Sequence, residues 1–253
     1  MGLKNDSITA LAEFIGTTYF IFMGLGGADA IAAFAGTTLS NIDILATAFS
    51  FGWSLMINVW LWAHISGGVL NPAITLALMV TGDLEIIRGI FYIIAQFAGG
   101  IMGSLLVQLL QPIPIMALTT LANETSVIEG LLIEIVTTSL LTLTVYTSNV
   151  AERDKLLAAF GIGTSLLISI LVAGPYTGAS LNPARTFGPA IVAGKVSGDL
   201  WIYFLGPILG SLLAAIYNVI FERYRTTEYL TYDQVSFFTI ITLWRKRRKI
   251  ESN

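Results

Sequence analysis

Six long apolar runs, separated by short polar segments, make up most of the chain: roughly residues 9–31, 42–62, 86–110, 127–149, 156–173 and 200–221. A helix crossing a hydrocarbon layer about 30 Å thick needs about 20 predominantly apolar residues, and most of these runs supply them. The pattern breaks between the second and third runs and again between the fifth and sixth. There, short apolar stretches follow Asn71-Pro72-Ala73 and Asn182-Pro183-Ala184, and neither can span a bilayer. Asn is a favoured N-cap, and Pro is favoured at the first helical position, where its missing N–H costs nothing. Each tripeptide therefore predicts a helix start, entered from a Gly-rich stretch: Gly67-Gly68 before the first, Gly174 to Gly178 before the second. Half-helices of roughly 8–9 residues are about 13 Å long at about 1.5 Å per residue, so two end to end approach the thickness of the bilayer core. The expected fold is an all-α membrane protein with six transmembrane helices plus two re-entrant half-helices.

The two tripeptides also expose a repeat. At the 111-residue shift that superposes them, Phe51-Gly52-Trp53-Ser54-Leu55 falls on Ile162-Gly163-Thr164-Ser165-Leu166. Glu13 and Glu134, each inside an apolar run, match at a shift of 121, and Gly103-Ser104-Leu105-Leu106 matches Gly210-Ser211-Leu212-Leu213 at 107. Unequal loops account for the drift. The chain reads as one domain over 1–253, with repeat one about 9–112, repeat two about 126–221 and a tail over 222–253. Three spans per copy is an odd number, so the second copy enters the membrane from the opposite side. The shared site of such an inverted repeat lies near the midplane, where the half-helices meet.

Composition sharpens the class. Only 11% of the 253 residues are charged, against about 25% in ordinary globular proteins, and the mean hydropathy is +0.78. A polytopic membrane protein fits and a soluble core does not. The net charge of −3 says little, but the placement of charge says more. With the N-terminus in the cytoplasm, Lys4, Arg88, Arg153, Lys155, Arg223, Arg225 and the run Arg245 to Lys249 are all cytoplasmic, as the positive-inside rule prefers. Both termini are then expected in the cytoplasm. Arg185 and Lys195 are the exceptions, and Arg185 sits in the first turn of the second half-helix, where the dipole disfavours a cation. Its counterpart in the first half is Ile74.

A glutamate inside a span is expensive, about 2.5–3.5 kcal/mol on insertion scales. Glu13 and Glu134 are therefore expected to face inward and accept hydrogen bonds from loop backbone. Gly99, Gly100, Gly103, Gly206 and Gly210 read as points of close helix approach. There are no cysteines and one histidine, His64, which reads as a hydrogen-bonded loop residue. No acid–base or metal constellation follows, so an enzyme, a cofactor and a bound metal are not expected, nor is nucleic acid. Asn123-Glu124-Thr125 is a sequon on the outward side. Val235 to Trp244 with the basic run behind it could lie on an anionic membrane surface.

These residues together resemble the major intrinsic protein family, the aquaporins and aquaglyceroporins, over about 9–221. The paired Asn-Pro-Ala boxes, Arg185 directly after the second, the two span glutamates and His64-Ile65-Ser66-Gly67-Gly68 carry the resemblance. It implies a homotetramer with one pore per subunit that conducts water passively. Small neutral solutes are a further cargo, and a glycerol or multi-solute facilitator is the alternative within the family. It implies an outer constriction of Phe51, Ile170, Ala179 and Arg185, and pore-lining carbonyls at Gly67, Gly68, Val69, Gly178 and Ser180. Strict water channels usually have His where Ile170 stands, and glycerol channels usually have two aromatics and a Gly. Phe-Ile-Ala-Arg is most similar to the archaeal type. Thr186, Ala190, Tyr203 and Phe204 stand where glycerol channels tend to carry Asp, a basic residue, Pro and an aliphatic. Val69 departs from the His common two places before the first Asn.

Overall fold

The computed structural model describes residues 3–34, 40–149 and 155–221. The tail 222–253, with its apolar and basic segments, and Arg153 lie outside the described residues. The chain forms two compact units, Met1–Ala215 and Ile216–Asn253, and of the second only the helical residues 216–221 are described. The described residues form helices and connecting loops. In chain order the helices are α1 (Leu3–Phe34), α2 (Asn41–Trp62), α3 (Pro72–Thr81), α4 (Ile86–Leu110), α5 (Val127–Asn149), α6 (Lys155–Thr177), α7 (Pro183–Val192) and α8 (Ile202–Phe221). Six are long and apolar enough to cross a membrane; α3 and α7, at 10 residues each, are the half-helices.

Their ends follow from local chemistry. Ser40 and Asp43 form a reciprocal capping box at the start of α2, and Ser126 and Glu129 do the same for α5. α3 stops because Gly82 turns left-handed, with φ 83°, and the Leu84 N–H closes back on the Leu78 carbonyl at 3.1 Å. Two elements outrun the hydrophobic pattern. α1 begins at Leu3 rather than near residue 9, because its polar first turn is anchored: the Arg88 Nε donates to the buried Asp6 carboxylate at 2.8 Å. α6 continues through Gly174-Pro175 to Thr177, where the pattern predicts a loop. One turn from a helix end, Pro costs a single backbone hydrogen bond, and the last turn is held from outside. The Thr177 hydroxyl donates to Glu134 at 2.7 Å, and the Tyr176 carbonyl accepts from the Ala122 N–H at 2.9 Å.

Helices pack where side chains are absent. A Cβ on Gly99 or Gly103 of α4 would lie 2.6 Å from the Phe14 or Thr18 carbonyl oxygen of α1, and one on Gly206 of α8 would lie 2.6 Å from the Glu134 Cβ of α5. Gly52 and Gly163 oppose each other across α2 and α6. Gly100 faces elsewhere: it meets the Ala184 carbonyl and Gly188 of α7, seating that half-helix against α4. The core runs along α1, α2, α5 and α6 around the half-helices, from Phe20, Phe51 and Leu55 to Leu141, Leu166 and Ile170. The outward faces are apolar too, with Ile87, Ile94, Leu132, Val136 and Val172 exposed. That is the surface a lipid-facing helix presents.

Candidate functional site

Each half-helix starts as the tripeptide dictates. Asn71 is the N-cap of α3, with φ −149°, ψ 116° and its side chain accepting from the Ala73 N–H. Asn182 caps α7 in nearly the same conformation and accepts from the Ala184 and Arg185 N–H groups. Using Oδ1 in the cap orients each amide nitrogen away from its own helix. The Asn71 Nδ2 donates to the Leu181 carbonyl at 2.8 Å, and the Asn182 Nδ2 donates to the Leu70 carbonyl at 2.8 Å. The two boxes thus brace each other. An amide carries two N–H donors, so this brace uses one per Asn.

The loops that lead into the boxes hold an unusual backbone. Gly68 and Leu70 have φ of 61° and 52°, and Ala179 and Leu181 have 52° and 51°. A left-handed conformation at a residue with a side chain costs roughly 1–2 kcal/mol, so three such positions need external support. The buried glutamates supply it. Glu13 accepts from Ser66 Oγ at 2.6 Å, Val69 N–H at 3.0 Å, Leu70 N–H at 2.7 Å and Gln96 Nε2 at 2.8 Å. Glu134 accepts from Thr177 Oγ1 at 2.7 Å and from the Ser180 and Leu181 N–H groups at 2.9 Å each. Ser66 and Thr177 in turn accept from the Gly68 and Ala179 N–H groups. With their N–H groups turned to a carboxylate, these loops keep carbonyl oxygens for other partners.

A narrow cavity follows this centre. Asn71, Asn182, Gly68, Val69 and Ser180 line it, opposite an apolar wall that includes Phe20, Leu55, Val59, Leu141 and Leu166. A wider cavity of about 940 Å³ is lined by Thr47, Met116, Ala117, Thr120 and Gly178, among others. Ile170 and Arg185 line both, so they stand where the two meet; Phe51 and Ala179 line the narrow one. The four residues assigned to a constriction are therefore brought together. Of the five expected pore carbonyl positions, Gly68, Val69 and Ser180 line the narrow cavity, Gly178 lines the wide one and Gly67 lines neither.

Arg185 is only 4% exposed. Its guanidinium carbon sits 4.4 Å from the centre of the Phe51 ring, and Nη1 donates to the Ala117 carbonyl at 3.2 Å. Cation–π contact and a fixed carbonyl hold the planar group in one place. A chain of buried hydroxyls joins the loop before α5 to the second box. Thr119 and Thr186 are 2.9 Å apart, Thr186 donates to Ser180 at 2.7 Å, and Ser180 donates to the Asn182 carbonyl at 3.1 Å.

Gln96, Thr119 and Asp29 lie outside the sequence reading, and Ser66 enters it only within the His64 to Gly68 motif. Ser66 and Thr177 carried a signal: they match at the same 111-residue shift as the boxes. Gln96 stands at the Gly103 shift from Tyr203, whose buried hydroxyl has no hydrogen-bond partner among the described residues, so the two halves support their glutamates differently. Asp29 is a third fully buried carboxylate, and it has no acidic counterpart in the second half.

The model of the family described as Major intrinsic protein matches residues 4–218. Aquaporin-1 of Rhizophagus irregularis is 53% identical over 217 residues, which covers 85% of this chain and 78% of that protein. Aquaporin-7 of Botryotinia fuckeliana is 40% identical over 225 residues, 85% of this chain but 49% of that protein, so the chain spans about half the length of this relative. Among solved structures, the aquaglyceroporin from Plasmodium falciparum superposes with a TM-score of 0.74 at 24% identity, covering 84% of this chain and 95% of that one. That likeness concerns the fold. With six long helices around two braced half-helices, and a family match running almost from end to end of the described residues, the chain belongs to the major intrinsic protein family.

Proposed function

We propose that this protein is a passive water channel, conducting water along osmotic gradients while excluding protons and ions. The observation that carries the reading is the junction of the two cavities. Arg185 and Ile170 stand where they meet, and the braced Asn71 and Asn182 line the narrow path behind. The half-helix N-termini put partial positive charge at that centre. Each Asn keeps one amide N–H for a passing oxygen, and the carbonyls of Gly68, Val69 and Ser180 offer acceptors. A neutral hydroxyl-bearing molecule stays hydrogen-bonded along the path, and a cation meets a positive field.

The chain is a multi-pass integral membrane protein of a channel family, not an enzyme. Its two halves are read as inverted repeats, about 9–112 and 126–221. Lys and Arg placement supports cytoplasmic termini, and family membership supports a homotetramer, one pore per subunit, in the plasma membrane. The constriction Phe51, Ile170, Ala179 and Arg185 is read as archaeal-type. Stopped-flow swelling of proteoliposomes tests the function. Osmotic water permeability well above that of empty vesicles, unaffected by proton or sodium gradients, is expected, and none above empty vesicles would refute it. A second reading, a facilitator of glycerol and similar neutral solutes, is favoured by one observation. Ile170 supplies no hydrogen-bond donor, and the cavity wall it continues is apolar and suited to a carbon backbone. Glycerol swelling of the same vesicles separates the two.

A further inference from the structure

We propose that Asp29 is a positioning residue of the outer constriction, holding Arg185 in place through the backbone of the segment between α4 and α5. This rests on the constriction reading above and names a determinant of its selectivity. Asp29 lies near the end of α1 in the apolar stretch Leu25 to Ala33 and is 0% exposed. A carboxylate there is retained only if something uses it. One of its oxygens, Oδ1, accepts from two successive backbone N–H groups, Met116 at 2.9 Å and Ala117 at 2.6 Å. The carbonyl of that same Ala117 accepts from Arg185 Nη1 at 3.2 Å. Asp29 and Arg185 thus hold one residue from its two sides, and the carboxylate decides where the carbonyl stands.

Nearby contacts fix the rest of the segment and leave this point to Asp29. Gln111 Nε2 donates to the Gly26 carbonyl at one end, Thr119 meets Thr186, and the Ala122 N–H reaches the Tyr176 carbonyl. Among the described residues no carboxylate lies within salt-bridge distance of Arg185. Glu134 and then Asp29 attract it at longer range, and the second oxygen of Asp29, Oδ2, accepts no hydrogen bond from the described residues. Without Asp29, the Ala117 carbonyl is free to swing toward the wide cavity that Ala117 and Met116 line. Arg185 follows it, and the opening beside Phe51 and Ile170 widens.

Asp29→Leu is the decisive variant, because an apolar side chain of similar shape suits the span and removes both acceptors. Glycerol and water permeability are measured on the same proteoliposomes, and their ratio is the readout, since a loss of folded protein lowers both together. The ratio is expected to rise roughly three- to tenfold in Asp29→Leu and by less in Asp29→Asn, which keeps one acceptor oxygen. In an Arg185→Val background, Asp29→Leu should change the ratio no further. An unchanged ratio in Asp29→Leu, or a full additional effect beside Arg185→Val, overturns the proposal. If Asp29→Leu does not reach the membrane, Asp29→Ser takes its place with the same two outcomes, because a side chain shorter by one atom does not reach the two amides. A parent protein that conducts neither solute refutes the channel reading itself, whereas a conducting parent with an insensitive Asp29 refutes only this inference.

Discussion

In the proposed constriction, Arg185 supplies charge and Ile170 supplies bulk where the two cavities meet. Arg185 is buried, stacked on Phe51 and tied to one carbonyl, so truncation removes a fixed positive charge and a planar donor together. Arg185→Val is expected to admit a proton or cation leak, read as dissipation of an imposed pH gradient in proteoliposomes. A tight variant would show that the half-helix field alone excludes ions. Ile170 contributes shape, being 4% exposed and shared by both cavities. Ile170→Gly should raise glycerol flux relative to water several-fold, a rough expectation from the 10- to 200-fold that one methylene can be worth in a fitted pocket. An unchanged ratio removes Ile170 from the constriction. At this scale the sequence was most informative where chemistry was unusual for its place: a Pro after an N-cap, an Arg in a first helical turn. Asp29 met the same criterion. It stands without a matched partner, since position 150, its counterpart at the glutamate shift, is Val150.

The elements are positioned by what they lack as much as by what they carry. The second half-helix approaches α4 so closely that Gly100 and Gly188 face each other with no room for a side chain. Gly188→Leu is therefore expected to cost at least the roughly 1–3 kcal/mol of an overpacked core. It should appear as reduced thermal stability in detergent and less channel per unit of membrane. A variant as stable as its parent would show that α7 can shift to accommodate it. The hydrophobic pattern located the eight helices of the described residues but misjudged the start of α1 and the end of α6, and the reason is common to both. Asp6 to Arg88 and Thr177 to Glu134 are contacts between segments distant in sequence, and each extends a helix into polar or Pro-containing residues that periodicity reads as its limit. A local pattern cannot register a bond to a residue 82 or 43 places away.

Across the whole molecule, the centre belongs to neither half. The repeat is legible because both boxes share their residues, but how they join is carried by backbone carbonyls that no side-chain pattern marks. Leu70 and Leu181 are ordinary apolar residues in the sequence. In the fold their carbonyls accept from the Asn of the opposite half, 112 and 110 positions away. A chain made only as far as α4 has every element of its own half-helix and still lacks a donor for Leu70 and an acceptor for Asn71. Limited proteolysis should therefore cut the Ser66–Asn71 loop of a chain ending after α4 and spare it in the full protein; equal protection would mean the first half closes unaided. During synthesis, then, the future water path begins as an unfinished surface within the membrane, and the last helices to emerge complete it.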